Sequence, residues 1–198
     1  MPAEDEFEAG SADVYILVSR GLEVRAVGTT HPEQVTSNSP EVAKYPDVMD
    51  AEITRLRDHG YIMEYKEAAR RASYPEVEEV CTLSLGVVRK QDKDRVVCNG
   101  SAPYDGHSLN DVMEFDKCRL ASVELAASAL SYHGFVSIVD AKDAFCGCPV
   151  SAYSIRFMTI RYRGVLYAWV RCNFGLAAMP VAYQAIAILL CRAVHYRT

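Results

Sequence analysis

The chain has 198 residues, half of them apolar, and a formal charge of −5. Those values fit one globular domain and exclude both global disorder and a basic nucleic-acid arm. The charge is uneven: residues 1–50 carry ten acids and three bases, residues 51–150 sixteen and twelve, and residues 151–198 six arginines and no acid. An acidic start and an all-arginine end point to an anionic ligand near the C-terminal half. The cysteines at 81, 98, 118, 146, 148, 172 and 191 are odd in number and form no CxxC, which excludes a disulfide framework and a zinc ribbon. Reduced thiols predict an intracellular protein, in cytoplasm or nucleus. The start MPAEDEFEAG has no apolar core and reads neither as a secretory signal nor as a transit peptide. The most apolar stretch, 179–194, contains Gln184 and Arg192 and is too short to span a bilayer, so no membrane is expected as a partner.

In chain order, residues 1–40 read as an acidic, poorly ordered segment and 41–198 as the folded part. Residues 13–28 suggest a short hairpin about Arg20-Gly21, and 29–47, rich in Thr, Pro, Ser and Asn, an extended loop. Asp47 then caps a helix, with Val48, Ile53, Leu56 and Ile62 at helical spacing and His59-Gly60 as its stop. Residues 66–80 read as helix or loop. LSLGVVRK and DRVVCNG flank the polar tip Gln91-Asp92-Lys93 and predict a hairpin. PYDGHSLN at 103–110 is a turn, and 111–131 a helix that carries Met113, Leu120, Val123 and Leu130 and ends at His133-Gly134. FVSIVDA reads as a buried central strand. YSIRFMTIRY and VLYAWVRC form a second hairpin about Arg163-Gly164, and 179–194 the last helix, with Pro180 in its first turn. Strands and helices mixed without a βαβ rhythm predict an α+β fold.

The segment VDAKDAF at 139–145 carries the chemistry. Asp140 follows directly on the apolar run, where a carboxylate is costly unless paired or bound to a metal, and Asp143 stands three residues on. Such carboxylates either hold Mg²⁺, which takes oxygen ligands and leaves room for phosphate oxygens, or simply cap a helix.

Outward from VDAKDAF, the order of motifs is Val88 to Lys90, Arg95, Leu109-Asn110, Asp140 to Phe145, and Phe174-Gly175-Leu176 through Pro180 to Tyr183. In that order the chain, over roughly 47–198, resembles the first half of a retroelement reverse transcriptase. The resemblance is to an RNA-directed DNA polymerase of an LTR- or DIRS-like retrotransposon. It implies a partial right-hand polymerase fold, fingers plus incomplete palm. Asp140 would be the first metal-binding aspartate, with the Ala141 carbonyl as a further ligand for Mg²⁺, or Mn²⁺ in its place. Asp143 and Ala144 would turn backbone N–H groups toward the triphosphate of a dNTP. Phe145 would lie beneath the sugar and exclude a 2′-hydroxyl; without the resemblance it reads as a core aromatic. Lys90 and Arg95 on the first hairpin, with Lys93 as an alternative, would neutralise triphosphate oxygens, or else belong to a solvated hairpin. Phe174 and Gly175 would pack against nucleotide or template base, Gly175 permitting close backbone approach. The arginines after 150 would pass the backbone of an RNA or DNA template–primer, while Trp169 reads as cross-strand packing.

The family carries a later [FY]-x-D-D turn and a thumb, and the 198 residues contain no acid after Asp143. The expectation is therefore a reverse transcriptase fragment that lacks the C-terminal palm and thumb and is inactive alone. The alternative is a decayed or domesticated, non-catalytic module that binds nucleic acid or protein. A third class, a hydrolase pairing Cys146 with His133, has no nucleophile-elbow motif behind it.

Overall fold

The computed structural model describes residues 15, 17–26, 37–73, 80–91, 93–102, 108–114 and 140–195. Its elements are β1 (Arg25–Ala26), α1 (Pro40–Lys44), α2 (Pro46–Asp58), β2 (Ile62–Glu64), α3 (Tyr65–Arg71), β3 (Thr82–Lys90), β4 (Lys93–Asn99), α4 (Leu109–Val112), β5 (Met113–Glu114), β6 (Thr159–Tyr162), β7 (Val165–Trp169) and α5 (Met179–His195), with 3₁₀ turns at Ala144–Gly147 and Ser154–Phe157. The fold is a mixed α+β arrangement, as the sequence predicts.

One sheet runs β2-β7-β6-β3-β4, and β1 pairs β5 apart from it. Every pair in the main sheet is antiparallel except β3 with β6, where Thr82 faces Thr159 and Leu83 faces Ile160. The two threonine hydroxyls meet at 3.2 Å there, so the one parallel contact buries a satisfied polar pair. Past Leu83 the free edge of β3 is covered by residues 37–39: the Ser39 N–H donates to the Leu85 carbonyl and the Leu85 N–H to Asn38 Oδ1. On one sheet face, Met49, Ile53 and Leu56 of α2 join Leu83, Leu85, Ile160 and Trp169 in the main core. On the other, Tyr65 and Ala68 of α3 pack with Val80, Ile155 and Ala168.

Both hairpins form, although Lys93, expected in the tip of the first, is the first residue of β4. Lys90 pairs Lys93 across the first tip. Tyr162 pairs Val165 across the second, whose central residues Arg163 and Gly164 have φ of 47° and 79°, the two positive values a tight hairpin turn needs. The stop at His59-Gly60 also holds, with His59 as C-cap and Gly60 at φ 67°.

Elsewhere the structure corrects the sequence reading. No hairpin forms about Arg20-Gly21. Residues 17–20 are helical, and Gly21, at φ 81°, donates its N–H to the Leu17 carbonyl and ends the turn. The glycine is a helix stop, a role that local sequence does not separate from a hairpin turn. The expected loop at 29–47 contains α1, and α2 begins at Pro46, so Asp47 lies in its first turn instead of capping it. Ile62 belongs to β2, where it faces Trp169. α4 ends at Val112, and Met113, expected in a long helix, pairs Ala26 in β5. Residues 154–157 are 3₁₀ and not strand. The tail expected at 1–12, the helix expected beyond 114 and the strand expected at 135–139 lie outside the described residues. No helix among the described residues is long and apolar enough to cross a membrane.

Candidate functional site

Three sequence-distant pieces converge at the end of the first hairpin. The bend Phe174-Gly175-Leu176 abuts β4, and Gly175 has φ 105°. A Cβ built on it would stand 2.8 Å from the Cys98 carbonyl carbon and closer still to its oxygen, so only glycine fits. The close approach expected of Gly175 is thus an approach to β4. The Gly175 carbonyl accepts from Gly100 N at 3.2 Å and from Asn110 Nδ2 at 3.0 Å. Asn110 Oδ1 in turn accepts from Ala177 N at 2.9 Å. Asn110 is fixed by the reciprocal capping box of Ser108 and Asp111 that starts α4. The Leu109-Asn110 motif therefore holds two elements together. Leu109 is buried, and Asn110 clamps the bend.

The bend also meets the segment that carries the aspartates. The Phe145 ring stands 4.7 Å from that of Phe174 and 5.8 Å from that of Tyr183, the latter edge-on. This aromatic trio ties the 144–147 turn to the bend and to α5. Phe174 remains 57% exposed, which leaves one side of the trio open to a ligand.

Asp143 heads the turn with a left-handed φ of 50°. Its Oδ2 accepts from Arg55 Nη1 at 2.8 Å, while Arg55 Nε and Nη2 reach both carboxylate oxygens of Glu52, each at 2.8 Å. The Glu52 hydrogen bonds, with that to Asp143 beside them, raise the Arg55 pKa above its ordinary value. Neither Glu52 nor Arg55 stands out in the sequence, though an acid and an arginine three apart on one helix face, beside Leu56, carry a local pairing signal. Asp140 and Ala141 are exposed. Among the described residues, no group of three or more His, Cys, Asp and Glu converges to hold a metal.

Asp143, Cys146 and Phe174 line a pocket of about 50 Å³ with Glu52, Arg55 and Cys98. That volume admits water and not a nucleotide. Leu85, Val96 and Cys98 project into it from the first hairpin. Side chains paired across an antiparallel ladder share a face. Hence Leu85 with Cys98, Val87 with Val96 and Arg89 with Asp94 belong to the pocket side, while Val88 with Arg95 and Lys90 with Lys93 belong to the other. The two faces differ in charge. Arg89 pairs Asp94 at 2.8 Å and lies 4.6 Å over the Tyr45 ring. Lys90, Lys93 and Arg95 are exposed together on the opposite face, with no ion pair among the described residues. The structure therefore groups Lys90 with Arg95 and Lys93, and places them outside the Asp143 pocket.

Of the arginines after residue 150 whose side chains are described, Arg156 and Arg163 are engaged within the fold. Arg156 lies over the rings of Tyr153 and Phe157, at 4.5 and 4.6 Å. Arg163 binds Asp50 at 2.6 Å, and Asp50 also accepts from the Tyr162 hydroxyl at 2.8 Å. Arg161 is exposed and Arg171 half-buried. Trp169 is core, opposite Ile62. Cys146 is buried, with its thiol pushed up to about 11 by desolvation, which disfavours a nucleophilic role; His133 lies outside the described residues.

No protein-family model and no curated protein sequence matches the chain. Solved structures do. The foamy viral protease-reverse transcriptase in complex with an RNA/DNA hybrid aligns with 96% of this chain at TM-score 0.60 and 14% identity, over 25% of its own length. A selenomethionine-labelled CSH mutant of the Prototype Foamy Virus protease-reverse transcriptase covers 98% at TM-score 0.63 and 14% identity, again over 25% of its length. The dRH form in complex with double-stranded DNA covers 95% at TM-score 0.58 and 15% identity, over 32% of its length. The chain thus has a reverse-transcriptase-like fold and spans a quarter to a third of the length of these proteins.

Proposed function

We propose that the chain is the fingers and part of the palm of a retrotransposon-type RNA-directed DNA polymerase, and that it holds an RNA or DNA template–primer. The observation that carries this reading is the convergence of the 143–147 turn, the first hairpin, Leu109-Asn110 and the Phe174-Gly175 bend in one place. The turn, Leu109-Asn110 and the bend each match a motif of that family, as do Val88 to Lys90 and Arg95 toward the hairpin's tip, and the fold they share resembles structures solved with an RNA/DNA hybrid and with double-stranded DNA. The three-cation face of the hairpin suits phosphate: Arg offers a planar fork and the lysines point charges. In this reading Lys90, Lys93 and Arg95 meet template backbone on the hairpin face turned away from the Asp143 pocket, and Phe145 and Phe174 offer the apolar surface for sugar and base.

A divalent ion would be held by Asp140 and the Ala141 carbonyl. These donors alone make a poor cage. The Asp143 carboxylate is already bound by Arg55, and no other acid joins them among the described residues. Mg²⁺ is commonly held by one or two carboxylates plus substrate phosphates, so this donor set suits only an ion arriving with a triphosphate. Two-ion transfer to a primer 3′-hydroxyl requires further carboxylates, and the 198 residues by themselves should not extend a primer.

The Arg55–Asp143 ion pair favours a second reading, a non-catalytic nucleic-acid-binding module of the same fold. Binding of a primer–template to the chain, with and without Mg²⁺ and a dNTP, separates the two. The polymerase reading predicts tighter binding with ion and dNTP, lost in Asp140→Asn; the module predicts binding indifferent to both. Mg²⁺-dependent primer extension that disappears in Asp140→Ala would overturn the claim that these residues are inactive alone.

A further inference from the structure

Between the Asp143 turn and the Phe174 bend, the chain forms an isolated antiparallel bridge, Pro149 opposite Arg171. Cys148 and Cys172 flank it on the same side. The Cys172 N–H donates to the Cys148 carbonyl at 2.9 Å, and the Val150 N–H donates to the Val170 carbonyl at 3.1 Å on the other side. Cys148 and Cys172 are therefore direct cross-strand neighbours, and each is 1% exposed. Opposed residues in such a ladder have Cα atoms about 4.5–5.5 Å apart, inside the range a disulfide spans. The Cys172 thiol also lies 3.9 Å from the Pro149 carbonyl.

We propose that Cys148 and Cys172 are a built dithiol site that closes to an intramolecular disulfide when the chain meets a two-electron oxidant of the peroxide class. In the first step the Cys148 thiolate attacks one peroxide oxygen; the O–O bond breaks, hydroxide leaves and takes up a proton, and Cys148 becomes a sulfenic acid. Cys172 sulfur then attacks the Cys148 sulfur, and the hydroxyl leaves as water with the Cys172 proton. Two thiols and one hydrogen peroxide thus give one disulfide and two waters. The bond would join the turn carrying Asp143 and Phe145 to the strand running into Phe174.

Charge around the pair favours one thiolate within it. Among the described cysteines, Cys148 is the one whose pKa is lowered. The hydrogen bond from Cys172 is the main cause, the charge of Arg171 adds to it, and burial opposes both. The same hydrogen bond keeps Cys172 protonated. Burial pushes Cys81 and Cys146 up to about 11 and Cys98 to about 12, so these three are poor thiolates. A metal cage is not the better explanation, since among the described residues no third ligand joins the two thiols.

The test uses the full 198-residue chain, reduced, then exposed to stoichiometric hydrogen peroxide, with remaining thiols alkylated. The expected product is a monomer lighter by two hydrogens, with a peptide pair joined through Cys148 and Cys172. Because Cys146 and Cys191 share tryptic peptides with the two, the variants Cys146→Ser and Cys191→Ser must retain the link. Cys148→Ser and Cys172→Ser must each lose it. Circular dichroism spectra of the reduced variants matching wild type show that loss of the link is not loss of fold. The oxidised chain should also melt several degrees higher, since a closed loop restricts the unfolded state. A link through Cys146, a disulfide-linked dimer, or oxidation that stops at Cys148 as sulfinic acid would each overturn the proposal. Closure of this disulfide requires no polymerase activity and no bound nucleic acid.

Discussion

Replacing Gly175 by alanine tests the convergence on which the site depends. The new Cβ would meet the β4 backbone at Cys98, 2.8 Å from its carbonyl carbon, and no side-chain rotamer relieves a clash with backbone. A non-glycine residue at φ 105° also costs about 1–3 kcal/mol in strain. Moving the bend outward loosens the hydrogen bonds that Gly100 N and Asn110 Nδ2 make to the Gly175 carbonyl, about 1 kcal/mol each. Strain and lost hydrogen bonds together come to about 4 kcal/mol. Gly164→Ala is the control: its φ of 79° is positive, but no atom lies within 4 Å of the new Cβ. It should cost only the strain of a left-handed residue, about 1–2 kcal/mol. Urea unfolding of both variants against wild type reads the difference. Equal midpoints for the two would refute the packing of the bend on β4.

Asn110→Ala should destabilise by about 2 kcal/mol, because it removes the clamp on both Gly175 O and Ala177 N; a loss under about 0.5 kcal/mol in the same urea assay would contradict the clamp. Phe145→Ala should cost about 2 kcal/mol in thermal or urea unfolding, less than a fully buried phenylalanine since the trio is half-open. Alkaline unfolding should show the Cys98 thiol. Its folded pKa is raised from 9.0 to about 12 by burial, so the folded state holds the proton more tightly. Its contribution is then complete below about pH 9 and is lost as pH rises toward 12; the slope of stability against pH in that window should flatten in Cys98→Ala. An unchanged slope would mean that the thiol is not buried.

Legibility in the sequence follows the range of the forces involved. Both hairpins and the stop at Gly60 are readable because their signals are local: polar tips between β-branched runs, and glycine where φ must be positive. Gly21 misleads because the same glycine signal serves a helix end and a hairpin turn. Met113 has helical apolar spacing, whereas pairing with Ala26, far back in the chain, decides for strand. The site motifs are visible as residue types in order, yet what each of them holds is not. That Gly175 yields to Cys98 backbone, and that Asn110 clamps the bend, are contacts between elements that no window of sequence contains. Arg55 escapes a sequence reading for the same reason: its partner Asp143 lies 88 positions on. The face of the hairpin occupied by Lys90, Lys93 and Arg95 follows from register, which the tip residues set but the composition does not reveal.

The most direct test of the nucleic-acid reading is the salt dependence of primer–template binding, measured by fluorescence anisotropy with an RNA/DNA hybrid. Three phosphate-contacting cations predict a slope of log K against log salt of about −3. Each of Lys90→Ala, Lys93→Ala and Arg95→Ala should lower its magnitude by about 1 without changing stability, since all three side chains are exposed. A wild-type chain that does not bind, or a triple variant that binds with the wild-type slope, would contradict the account.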